Sequence, residues 1–163
     1  MTQKFAIMVG LPCSGKSTIA KTYKGKFGWV IINPDTIRLA KHGQQWKPDE
    51  ESFIWECARV MAKHFLILGY SVIVDATHVK REYRAPWKKI ANEFNLPMYI
   101  HEIIRDYSKS IERNMQINRF CNDKGIPVTD VIDKMIDNWQ EPSDDEGIIT
   151  YYNYNGDVID EGQ

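Results

Sequence analysis

The chain has 163 residues, 43% of them apolar and 26% charged, which suits one domain with a sizeable core and an ordinary globular composition. No apolar run approaches the roughly 20 residues that span a bilayer, the opening MTQKFAIMVG lacks the small-residue cleavage site of a signal peptide, and the three cysteines have no metal-type spacing. A membrane-spanning or disulfide-stapled protein is thereby excluded, and free thiols in a reducing, cytoplasmic setting are expected. The net charge of −1 hides an asymmetry: residues 140–163 hold seven acids and no Lys or Arg, leaving 21 bases against 15 acids before them. A moderately basic body suits a protein that handles phosphates or nucleic acid. The acidic end reads as solvated surface.

In chain order, strand and helix alternate, the pattern of an α/β fold with a parallel sheet. FAIMV (5–9) is a short buried-strand run that ends at Gly10, and a helix is expected from Lys16 to about Tyr23. WVII (29–32) is the second strand. Asn33 caps the next helix, with Pro34 at its first position. Between Lys47 and Leu68 the residues Ile54, Ala58, Met61, Phe65 and Leu68 fall on one helical face, and Gly69 ends that helix.

SVIVD (71–75) is a third strand, followed by a loop and a helix that runs to Phe94 and carries Pro86 in its first turns. MYIHEII (98–104) is the fourth strand. Helices over about 108–118 and 129–139 flank the polar segment RFCNDKGIP, and GIITYYNY (147–154) with Asn155-Gly156 forms a last strand and hairpin. Neither repeats nor low-complexity linkers occur, so residues 1–163 read as a single domain, with a lid near 119–127 and an acidic hairpin or tail from about 140.

The strongest motif is GLPCSGKST. Gly10, Gly15, Lys16 and Ser17 fit G-x-x-x-x-G-K-[ST] directly between a strand and a helix. The glycines let the backbone wrap a phosphate, so that its N–H groups and the helix N-terminus point at the anion. Lys16 is expected to reach the β- and γ-phosphates, and the Ser17 hydroxyl to ligate Mg²⁺. The candidate nucleotide-binding set is Gly10, Pro12, Cys13, Ser14, Gly15, Lys16, Ser17 and Thr18, with ATP or another nucleoside triphosphate as donor. Cys13 reads as an incidental small residue rather than a redox sensor.

In a doubly wound sheet, ligands sit beyond the carboxyl ends of the strands. Asp35 and Arg38 follow the second strand there, one helical turn apart. Asp35 is suited to take a proton from an acceptor hydroxyl or to orient a metal-bound water, and Arg38 to hold an acceptor phosphate in its planar fork. Asp75, Thr77 and His78 end the third strand at the same cleft, where they would contact the acceptor or the water shell of the metal. Arg113 and Arg119 flank the lid, and one of them, Arg119 by preference, would stabilise the transferring phosphoryl group.

Together these residues resemble the P-loop kinase module of phage polynucleotide 5′-hydroxyl kinases and its bacterial relatives, through GLPCSGKST, INPDTIR, VIVDATH…REYR..W, IERN…R and M…W..P…EG. The resemblance implies the P-loop NTPase fold, a parallel central sheet flanked by helices with a short lid. It also implies that Lys16 and Ser17 bind phosphate and Mg²⁺, that Asp35 is the general base, that Arg38 holds the acceptor and that Arg119 or Arg113 contacts the transferring phosphate. Two departures stand out: the spacing from Arg113-Asn114 to the next arginine is longer than in that family, and no D-x-D-G-T phosphatase motif occurs. NPDTIR is also similar to a segment of zeta-toxin kinases, so the resemblance defines the chemistry more closely than the acceptor.

The leading expectation is ATP-dependent phosphorylation of the 5′-hydroxyl end of RNA or DNA, with a ligase or phosphatase acting alongside. Arg81, Arg84, Lys88 and Lys89 would track the nucleic-acid backbone, and Trp46, Trp55, Tyr83 and Trp87 are candidates to stack a terminal base, with Trp55 and Trp87 equally suited to the core. The alternatives are a kinase of a small molecule, nucleoside or nucleotide, and a non-catalytic nucleotide-binding switch, which would need no acceptor base.

Overall fold

Six strands line up in the order β2-β3-β1-β4-β5-β6 in a computed structural model that describes residues 2–43, 47–122 and 124–161. The strands are β1 (Phe5–Val9), β2 (Val30–Ile32), β3 (Val72–Val74), β4 (Met98–Ile103), β5 (Ile148–Tyr152) and β6 (Val158–Glu161). The first five are parallel, and β6 returns antiparallel along the edge of β5. Around them lie α1 (Lys16–Phe27), α2 (Pro34–His42), α3 (Glu51–Ile67), α4 (Arg81–Glu93), α5 (Tyr107–Ile117) and α6 (Asp130–Asp137). No helix among the described residues is long and apolar enough to cross a membrane.

β1 lies at the centre and all five of its residues are buried, as helices on both faces of a parallel sheet require. Its side chains alternate between two cores. Phe5, Ile7 and Val9 pack with Ala58, Ala62 and Leu66 of α3 and with Trp87 and Ile90 of α4. Ala6 and Met8 pack with Ile19 and Ala20 of α1 and with Trp29, Tyr152 and Tyr154. Trp87 is thus a core residue, 1% exposed, and Trp55 is half-buried against the same core, while Tyr83 is exposed and Trp46 lies outside the described residues.

Two boundaries differ from expectation. α1 runs on to Phe27 because its stop is Gly28, left-handed at φ 69°, whose N–H donates to the Lys24 carbonyl. The stretch from Lys47 opens as a 3₁₀ turn over Pro48–Glu50, and α3 starts only at Glu51. As expected, Pro86 lies in the first turns of α4, which runs on to Glu93. The expected lid segment is a small hairpin: Cys121 pairs with Pro127, and the buried Asn114 side chain of α5 accepts from the Phe120 N–H and donates to the Val128 carbonyl.

The acidic end is not uniformly solvated surface. Glu146 is 5% exposed and forms a two-pronged ion pair with Arg84, Nε to Oε2 at 2.8 Å and Nη2 to Oε1 at 2.9 Å. Arg84 also donates through Nη1 to the carbonyls of His78 and Gln140, both at 2.9 Å. A guanidinium with no exposed surface cannot track a nucleic-acid backbone or bind an acceptor, so Arg84 is a structural tie between α4 and the segment after α6. Burial of both charges demanded this full set of partners. Arg81, at the surface above, pairs with Asp145. Half of the basic track expected along α4 is therefore neutralised by the chain itself.

Candidate active site

The loop from Gly10 to Gly15 joins the buried end of β1 to α1. Gly10 approaches Ser14 so closely that an added Cβ would lie 2.9 Å from the Ser14 Oγ. Gly15, at φ 103°, enters the helix in the left-handed region, and Cys13 adopts φ 63° beside it. Alternation of this kind turns successive backbone N–H groups toward one concavity at a helix N-terminus, the geometry that binds anions. The Ser14 Oγ is buried there with no hydrogen-bond partner among the described residues. Lys16 is 8% exposed and its Nζ donates to the Leu11 carbonyl at 2.6 Å across the loop. Burial lowers its pKa to about 8, partly offset by the charge of Asp75.

β3 lies beside β1 and brings Asp75 to the loop. Its carboxylate is 6% exposed and accepts from the Asn33 Nδ2 at 3.1 Å. The other end of the same Asn33 amide accepts from the Asp35 N–H at 2.8 Å, capping α2. One side chain therefore ties the α2 N-terminus to the β3 carboxylate. Thr77 contributes through its backbone, its carbonyl accepting from the Gly10 N–H at 3.1 Å.

Asp35 stands at the mouth of the loop between two arginines. Arg38 Nη1 donates to Oδ1 at 2.5 Å, and Arg119 Nη2, from the hairpin after α5, donates to Oδ2 at 2.9 Å. The two guanidiniums are held differently. Arg38 is 14% exposed and is gripped by the Glu51 carboxylate through Nε at 2.7 Å and Nη2 at 2.6 Å, with its plane 6.0 Å from the Trp55 ring. Arg119 is 46% exposed, and its charge reaches Cys13 and Lys16 as well as Asp35. Glu51 escaped the sequence reading because it is 13 residues from Arg38, and no spacing rule links the end of one helix to the start of the next.

Arg113 lies behind the loop. Its Nη1 donates to the carbonyls of Cys13 at 3.4 Å and Ser14 at 3.2 Å, its Nη2 donates to the Tyr154 carbonyl at 2.7 Å, and its plane lies 5.0 Å from the Tyr154 ring. It straps the phosphate loop to the turn between β5 and β6, while Arg119 lies on the Asp35 side.

His78 does not reach the cleft, contrary to expectation. It is 1% exposed, its Nδ1 lies 2.7 Å from the Met8 carbonyl, and its ring lies 6.0 Å from those of Trp55 and Trp87. The left-handed backbone at φ 46° turns the side chain under β1. Burial lowers its pKa to about 4, as it does for His101 on β4. Both rings stay neutral in the folded chain and take up protons on unfolding, so stability is expected to fall as pH drops from about 6.5 through about 4. Calorimetric Tm values across that window check this. His78→Asn, which tolerates the left-handed backbone and keeps a donor for Met8, should show a shallower fall, and an unchanged slope would refute the assignment.

A glycine-wrapped loop on a central parallel strand, with a lysine in it and a helix behind it, is the architecture of a nucleoside-triphosphate site. A family model described as an AAA domain matches residues 5–142. The chain belongs to that family. It is a P-loop kinase. Among the relatives of this P-loop kinase is the bifunctional polynucleotide phosphatase/kinase of Schizosaccharomyces pombe, 28% identical over 127 residues that cover 77% of this chain and 27% of that protein. Another is the L-seryl-tRNA(Sec) kinase of Methanococcus maripaludis, 34% identical over 92 residues that cover 53% of this chain and 35% of that protein. The chain thus spans about a third or less of the length of these two relatives. A chain in the solved structure of the Pnkp1/Rnl/Hen1 RNA repair complex shares the fold, with a TM-score of 0.71 and 24% identity over 84% of this chain and 44% of that one.

The residues present fit ATP and Mg²⁺, which P-loop kinases generally use. The concave loop, the unpartnered Ser14 Oγ and the buried Lys16 suit a polyphosphate. Among the described residues no group of three or more His, Cys, Asp or Glu suits a metal. Ser17 follows Lys16 directly, Asp75 is near enough for its charge to act on Lys16, and the Asp35 oxygens meet two arginines.

Proposed function

We propose that this P-loop kinase phosphorylates the 5′-hydroxyl end of a polynucleotide, RNA or DNA, with Asp35 as general base. The observation that carries the reading is the Arg38–Asp35–Arg119 constellation at the mouth of the phosphate loop. It is supported by the likeness to a polynucleotide phosphatase/kinase over 77% of this chain.

When bound, ATP supplies the phosphoryl group and Mg²⁺ the charge that neutralises its oxygens. The chain does the rest. The loop N–H groups and Lys16 bind and orient the polyphosphate, Arg113 keeps the loop in shape from behind, and Asp35 accepts the proton of the attacking hydroxyl. Arg38, fixed by Glu51, is the rigid fork for an acceptor phosphate. Arg119, more exposed and held on Asp35 alone among the described side chains by hydrogen bonding, is the mobile charge for the transferring group.

Glu51 is then a positioning residue. Glu51→Ala should raise the KM for the oligonucleotide by roughly tenfold to a hundredfold, the scale of a lost charged hydrogen-bond partner, with the KM for ATP unchanged. Steady-state kinetics with each substrate varied in turn checks this, and equal changes in both KM values would count against it.

The same machinery would serve a different acceptor hydroxyl, and two observations favour keeping that second reading. One relative is named an L-seryl-tRNA(Sec) kinase, and Arg84 is buried away from any nucleic-acid backbone while Arg81 already faces Asp145. Incubation with γ-labelled ATP, Mg²⁺ and a short 5′-OH oligonucleotide, beside free nucleosides and sugars, separates the two. Label on the oligonucleotide end, lost with a chelator, supports end phosphorylation, in which a ligase would act downstream. Label on a small acceptor alone would overturn it.

A further inference from the structure

On the α4 and α6 side of the sheet, past the carboxyl end of β4, an open hollow of about 460 Å³ is lined by Glu102, Ile104, Arg105, Tyr107, Ile136, Glu141 and Tyr151. None of these residues belongs to the phosphate loop or the Asp35 cluster. Its volume falls in the range of small-molecule sites. Its floor is chemically unusual. Glu102 is 2% exposed, and no N–H or O–H donor among the described residues reaches its buried Oε2. The side chain that acts on it most strongly is another acid, Glu141. Burial, followed by the contact with Glu141, raises the Glu102 pKa to about 8.

The neighbouring arginine charges oppose that rise without reversing it. Arg105, at the rim, bonds Glu141 at 2.5 Å. Arg84, whose charge also reaches Glu102, is fully engaged by Glu146 and three carbonyls. Tyr107, from α5, donates to Asp133, away from Glu102. Tyr151, from β5, contributes a phenol whose own ionisation is disfavoured by burial and by Glu102, Asp144, Glu141 and Asp160.

We propose that this hollow binds a small primary alkylamine as its ammonium ion, seated against the buried Glu102 carboxyl beside Glu141. The walls select that class. Two carboxyls offer too few oxygens for a bare Ca²⁺ or Mg²⁺, whereas Ile104 and Ile136 suit an alkyl body and the Tyr107 and Tyr151 rings suit a cation beside it. The exchange balances: the ammonium enters charged, Glu102 releases its proton to solvent, and the carboxylate formed pairs with the ammonium.

The test is an NMR titration of the protein with n-butylamine, with butan-1-ol as the uncharged match, followed at Ile104, Ile136 and Tyr151. Saturable shifts in the millimolar range are expected for the amine alone. Its affinity should rise about tenfold per pH unit below about pH 8 and level off above it, because below that pH Glu102 must first lose its proton. Glu102→Gln keeps the shape and should weaken binding roughly tenfold or more and abolish the pH dependence. Nucleotide binding by the same variant reports that it is folded. Absence of saturation, equal binding of butan-1-ol, or an unchanged affinity and pH profile in Glu102→Gln would each overturn the proposal.

Discussion

Asp35→Ala should lower the rate of phosphoryl transfer by about 10²- to 10⁴-fold, the usual contribution of a positioned general base, with nucleotide binding retained. The protein should stay folded. Asp35 is 58% exposed, and its two ion pairs belong to the class worth at most about 1 kcal/mol each. Arg38 keeps both prongs of Glu51 in the variant, so the proposed acceptor fork survives while the proposed base is lost. The readout is single-turnover transfer from labelled ATP beside a thermal melt. A fall in rate with an unchanged melt supports the assignment. Wild-type transfer would dismiss Asp35 as the base, and a collapse in Tm would make it a structural residue. Asp35→Asn separates charge from hydrogen bonding: it preserves the shape but cannot accept the proton, so it should be as inactive as the alanine variant.

Arg84→Ala should be the most destabilising of the changes considered. Removing one partner of a buried ion pair leaves an uncompensated charge and costs about 3–5 kcal/mol. For a domain of this size that corresponds to roughly 6–20 °C in Tm. Glu146→Ala should cost a similar amount, since it leaves the guanidinium buried with carbonyls alone. Replacing both at once, Arg84→Met with Glu146→Leu, removes two charges and fills the space, and should recover much of the loss. Thermal melts of the three variants form the experiment. An Arg84→Ala protein that melts like the wild type yet binds its acceptor poorly would restore Arg84 to the acceptor site.

Local pattern decided a large part of this protein. The buried run FAIMV, the glycines and lysine after it and the cap at Asn33-Pro34 act within a few residues of themselves, so the phosphate loop, its strand and the placement of Asp35 and Arg38 on one helix turn could be read directly. The alternation of strands and helices carried the parallel sheet in the same way.

Other features depended on contacts between distant segments. Two arginines of one chain, Arg38 and Arg84, look alike in a sequence, as cations on a helix next to a loop. Each became what it is through a carboxylate supplied from elsewhere, Glu51 from the next helix and Glu146 from 62 residues on. Likewise, Arg113 and Arg119 were told apart only when the β5–β6 turn took one and Asp35 the other. His78 shared a loop with Asp75 and Thr77, but a single left-handed residue turned it into the core. The physical reason is common to all of these. Spacing along a chain determines which side chains share a face, whereas the state of a charged or titratable group depends on burial and on its partners, and both are set when segments far apart in sequence close around it.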